Sequence, residues 1–164
     1  MEGISRGYLG IIEKLSKALQ VVGGVALVFI MLLTVADVIL RRFGHPIVGT
    51  YEIVGLGGAV VIGFAIPITS WLRGHIFVDF FYQRFSPAGR AVFNITTRVF
   101  SLALFVLIGY NLFLYAGELY KSGEVTLTRQ LPFYPVAYGL GVCCFIEFLV
   151  LIGDVLKIIG GDYE

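Results

Sequence analysis

The chain has 164 residues, 58% of them hydrophobic and only 14% charged, with a mean hydropathy of +0.91. Soluble domains are about half apolar and about a quarter charged, and one small core cannot bury such an excess of apolar surface. The composition excludes an ordinary soluble domain, and a net charge of +1 leaves no strong field to attract nucleic acid or acidic partners.

In chain order, residues 1–17 come first. Tyr8, Ile11, Ile12, Leu15 and Leu19 recur at helical spacing, while Arg6, Glu13, Lys14 and Lys17 take the other side. This predicts an amphipathic helix over 1–17, lying in the headgroup plane. Residues 18–36 carry no charge, and a first membrane span is predicted over 18–43. The run starts too late and is too long for the apolar core of a cleaved signal peptide, so none is expected. The charge-free run 53–72 predicts a second span over 50–72. Residues 99–117 predict a third, over 91–118. Residues 131–146, continuing past Glu147 to Gly153, predict a fourth, over 131–156. A helix rising about 1.5 Å per residue needs about 20 residues to cross the hydrocarbon layer. Lipid offers backbone amides no partner, so each run must be a helix. The expected fold is an all-α membrane protein, one domain over 1–164, with four transmembrane helices plus short amphipathic interfacial helices.

The stretch "LRRFGHPIVGTYEIVG", residues 40–55, joins the first two spans. Asp37 and Arg41 are four apart on one helix face and suit an ion pair. Glu52 opens the second helix, where the dipole favours a negative charge, and it could reach Arg42 across the turn made by Gly44, Pro46 and Gly49. Asp37 and Glu52 are thus candidate structural partners. The competing reading makes the arginines a docking patch for another protein.

Along the second span Gly55, Ala59, Gly63 and Pro67 recur every four residues, a ridge that lets helices approach closely. It serves packing either within the chain or against a partner's helix. After this span "RGHIFVDFFYQRFSP" predicts an interfacial helix over 74–86. Phe80 and Phe81 belong to its apolar stripe, and His75 and Asp79 to its polar side. As metal ligands or an acid–base pair, His75 and Asp79 lack a third ligand and a nucleophile.

Lys and Arg set the expected orientation. Eight basic residues fall on the side holding both termini and the segment between spans two and three. Four fall on the other, namely Arg41, Arg42, Lys121 and Arg129. Both termini are therefore expected in the cytoplasm. Glu147 is the one ionisable group well inside a span; it could reach the interface, pair with Lys157 or Arg98, or carry a proton. Cys143 and Cys144 are adjacent, which disfavours a disulfide, and no CxxC faces outward. No histidine lies inside a span to hold haem, and no cofactor is expected.

The order of these features resembles the small membrane subunit, the DctQ type, of tripartite ATP-independent periplasmic (TRAP) transporters. The resemblance covers roughly residues 15–157. It rests on "ADVILRRFGHPIVGTYEIVG", "RGHIFVDFFYQRFSP" and "GEVTLTRQLPFYPVAYGLG", with Gly74, His75, Ile76, Val78 and Asp79 the most specific. A departure is Tyr51-Glu52-Ile53, where a tryptophan and two acidic residues are common in the family.

The resemblance implies a multi-pass protein of the bacterial inner membrane and a division of labour. A soluble periplasmic substrate-binding protein captures an organic anion, a carboxylate or sulfonate. A large polytopic membrane subunit moves it, driven by sodium. The small subunit is a scaffold in membrane lipid, not an enzyme. Arg41, Arg42 and Arg129 then become candidates for docking the binding protein, held by Asp37 and Glu52. Gly55, Ala59 and Gly63 become candidates for packing against the partner subunit. Two readings compete with the scaffold: a stand-alone proton-coupled exporter using Glu147, and a membrane assembly protein outside transport.

Overall fold

The computed structural model describes residues 2–72 and 87–160. Within them lie four helices, α1 (Glu2–Arg42), α2 (Thr50–Trp71), α3 (Pro87–Ser122) and α4 (Tyr134–Gly160). The only pairing of strand type among the described residues is an isolated bridge between Val125 and Pro132. Each helix contains a stretch long and apolar enough to cross a membrane, as the charge-free runs predict. The expected interfacial helix over 74–86, with His75, Asp79, Phe80 and Phe81, lies outside the described residues.

The first element departs from expectation. Residues 1–17 and 18–43 were predicted as separate helices, but α1 runs unbroken for 41 residues. At 1.5 Å per residue this is about 60 Å, about twice the hydrocarbon thickness. Lys14 and Lys17 are exposed and do not interrupt it; Glu13 and Lys17 pair at 2.5 Å, one turn apart. Part of the apolar side packs within the chain, while Ile11 and Leu15 stay exposed. The Tyr8 hydroxyl donates to the Leu149 carbonyl of α4 at 2.9 Å. Leu9 lies against Gly153, and Ile12 and Ser16 are buried.

The helix ends follow from local chemistry. α1 closes with Gly44 in the left-handed region (φ 80°). The Gly44 amide donates to the Arg41 carbonyl and the His45 amide to the Leu40 carbonyl. This double bond pattern satisfies carbonyls that the helix leaves open. Arg41 and Arg42 in the last turn suit the negative end of the dipole. α3 closes similarly at Gly123 (φ 66°), whose amide donates to the Leu119 carbonyl. In α4 Pro135 sits in the first turn, where its missing N–H costs nothing.

The helices are ordered α1–α2–α4–α3 in space, with α2 and α4 central. Gly63 lies under Leu140 and Ser70 meets Glu147. Both pairs are 77 residues apart, so α2 and α4 run side by side in the same direction. α1 runs antiparallel to α2, with Gly23 against Val61 and Phe64 and Gly57 against Ile30. α3 runs antiparallel to α4, with Gly109 against Cys144 and Gly141 against Phe113. A compact cluster of Ala116, Leu119 and Ala137, with Phe133, Tyr134 and Tyr138 around it, closes the α3–α4 pair at the end bearing the connecting turns.

The glycine ridge of α2 thus divides. Gly63 packs inside the chain, whereas Gly55 is exposed with open space where a side chain would be. Gly63→Ala is expected to be nearly neutral, since a helix-propensity gain of up to about 1 kcal/mol offsets the displacement of Leu140. Gly63→Leu overfills the α2–α4 seam and is expected to cost about 2–3 kcal/mol. Gly55→Leu is expected to leave thermal unfolding of the isolated chain in detergent unchanged. Equal melting of both leucine variants contradicts this division.

Candidate functional site

The α1–α2 turn and the α3–α4 connection lie at one end of the molecule, and polar groups weld them together. Asp37, buried near the end of α1, accepts from Arg41 Nη2 at 2.6 Å and from the Ile47 amide at 2.7 Å. One carboxylate therefore fixes an arginine on its own helix and the turn ten residues on. The Thr50 hydroxyl donates to the Ile47 carbonyl at 2.9 Å, holding the entry to α2. The expected Asp37–Arg41 pair is present.

Glu52 is placed differently from expectation. It does not turn to Arg42 but accepts from two backbone amides of the α3–α4 connection, Thr128 at 2.6 Å and Arg129 at 2.9 Å. Each carboxylate oxygen takes one N–H, the strong charge-assisted arrangement. Arg129 returns the contact: its Nε donates to the Val48 carbonyl at 2.7 Å, and its side chain lies over Gly49. Gly49 has φ 79°, and a Cβ there would overlap Arg129. The connection is braced internally too. The Thr126 hydroxyl accepts from the Leu131 amide at 3.0 Å, and the Thr126 amide donates to the Leu131 carbonyl at 2.9 Å. Gln130 takes a left-handed conformation (φ 53°), unusual for a residue with a side chain.

Arg41, Arg42 and Arg129 are all exposed at this end. Arg41 and Arg42 border an open groove with Val38, Ile39 and Phe43. Their freedom differs: Asp37 holds Arg41, Val48 holds Arg129, and neither carboxylate is bonded to Arg42. A second open groove, lined by Leu102, Val106, Tyr110 and Phe148 among others, is almost wholly apolar.

The opposite half carries a second polar layer that sequence reasoning largely missed. Glu147, only 1% exposed, accepts from the Ser70 hydroxyl at 2.5 Å. Ser70 is not among the partners the sequence suggests for it. Arg98 stands 3.1 Å from Asp154, and both side chains are largely buried. That approach is an ion pair by distance, without hydrogen-bond geometry at the same Asp154 oxygen. These contacts link α2 to α4 and α3 to α4. Among the described residues no group of three His, Cys, Asp or Glu is arranged to hold a metal.

Four helices long and apolar enough to cross a membrane, fastened to one another by charged groups, define a multi-pass membrane protein. Residues 30–160 match the family described as Tripartite ATP-independent periplasmic transporters, DctQ component. The chain belongs to this family and is the small membrane subunit of a TRAP transporter. Comparison with curated proteins and with solved structures gives no match.

Proposed function

We propose that this chain scaffolds the large polytopic subunit of its transporter and helps dock the periplasmic substrate-binding protein, in sodium-driven uptake of a carboxylate or sulfonate. The carrying observation is where the apolar surface lies. In the most apolar windows of α1 and α3 only 11% of the residues are buried. Val21, Val25, Val28 and Leu32 of α1, and Phe100, Leu104 and Leu107 of α3, are all exposed. Such faces suit lipid on one side and a membrane partner on another. The basic-residue bias favours both termini in the cytoplasm, in a bacterial inner membrane, with the end carrying Arg41, Arg42 and Arg129 outward.

The described ionisable groups support a holding role: Asp37, Glu52, Arg98 and Asp154 each contact another part of the chain itself. Co-expression with the large subunit should yield a stable complex, and this chain alone in sealed vesicles should move no organic anion. Transport by the lone chain, abolished by Glu147→Gln, would establish the exporter reading instead.

A further inference from the structure

We propose that Leu127 is the apolar anchor by which this subunit grips the periplasmic binding protein; this rests on the docking role and outward orientation proposed above. Leu127 is 99% exposed, yet it is not on a loose loop. Thr126 before it is buried, and Thr128 after it is tied to Glu52. The Thr126–Leu131 bonds and the Val125–Pro132 bridge close the loop beneath it. A chain that spends two carboxylate–amide bonds and a left-handed glutamine here holds a leucine rigidly in the open. A preorganised apolar side chain loses little freedom on binding, which is what an interface anchor requires.

Position argues for the occupant. Tyr120 and Tyr134 pair edge to face at the ends of α3 and α4, with ring centroids 5.2 Å apart, the placement of an aromatic belt at the lipid boundary. The connection bearing Leu127 extends beyond α3 and α4 past this pair, into water, where acyl chains cannot cover it. A soluble partner can. Arg129, two residues on, and Arg42 on the same end are exposed cations, and Glu124 on the same connection is an exposed carboxylate. The complementary surface is an apolar recess on the soluble component of the tripartite system.

The test uses the assembled membrane complex in proteoliposomes with its binding protein. Leu127→Asp should leave the yield of the complex unchanged and raise the binding-protein concentration for half-maximal uptake about tenfold, with the maximal rate retained. Leu127→Ala should do the same to a smaller degree. Leu127→Cys carrying a photo-crosslinker should link to the binding protein. Unchanged concentration dependence in Leu127→Asp, alongside a weakened Arg42→Glu, overturns the anchor and leaves the docking role standing. If neither variant changes the dependence, the docking role fails with it. Crosslinking to lipid or to the large subunit, or loss of the complex in Leu127→Asp, also overturns the anchor.

Discussion

Replacing Arg98 by alanine is expected to destabilise the four-helix unit more than any other single change considered, by about 3 kcal/mol. The Asp154 carboxylate on α4 is almost wholly buried and has Arg98 Nη2 of α3 at 3.1 Å. Removing one member of a buried ion pair costs about 3–5 kcal/mol, because the remaining charge keeps its desolvation penalty without its attraction. The lower end applies, since the Arg98 side chain retains 15% exposure and Asp154 makes further contacts. The double variant Arg98→Met with Asp154→Leu should recover much of the loss, as apolar replacements of buried pairs often do. Chemical denaturation in detergent micelles, following helicity, reads both. If the double variant is as unstable as Arg98→Ala, the penalty is lost packing and not an orphaned charge.

The contrast between Arg98 and Arg41 shows what a sequence makes visible. Asp37 and Arg41 are one helical turn apart, so the geometry of a single helix announces their contact. Arg98 and Asp154 lie on different helices, and their meeting depends on the register of α3 against α4. A one-turn slip would separate them. The ends of the charge-free runs were the available signal: Arg98 and Asp154 each flank one, and Ser70 lies just inside the end of another. It marks residues that need partners without saying which.

Spans were legible for a stronger reason. Twenty uncharged residues in lipid have one satisfied backbone conformation, so length and composition suffice. The same reasoning misled at residue 17. A change from amphipathic to fully apolar composition does not require a helix to stop, and α1 has no glycine or proline cap there. The ridge on α2 was visible as a face, but only the packed structure assigns Gly63 to Leu140. Glu52 was the hardest case. Its partners are backbone amides of Thr128 and Arg129, some 76 and 77 residues away, and every residue but proline carries such an amide. Side-chain complementarity therefore points at Arg42, the nearer cation, and misses the bond made.

Glu52→Ala follows from that bond and is expected to have the second large effect, confined to one loop. Hydrogen bonds to a charged group are worth about 1.5–3 kcal/mol each, and partial exposure of Glu52 puts these two at the low end. Losing both removes about 3 kcal/mol from the local closure of residues 126–131. Since each 1.4 kcal/mol is tenfold in an equilibrium, amide exchange at Thr128 and Arg129 should accelerate by about 100-fold. Glu52→Gln keeps a carbonyl acceptor for one amide and should fall between. Global unfolding should hardly shift, because the Thr126–Leu131 bonds and the Ala116–Leu119–Ala137 cluster remain to close the α3–α4 pair. Hydrogen–deuterium exchange of the peptide spanning 124–132 separates the cases. Wild-type exchange in Glu52→Ala would mean that Thr126 alone fixes the loop. Acceleration across all four helices would mean that Glu52 supports the whole bundle and not this clasp.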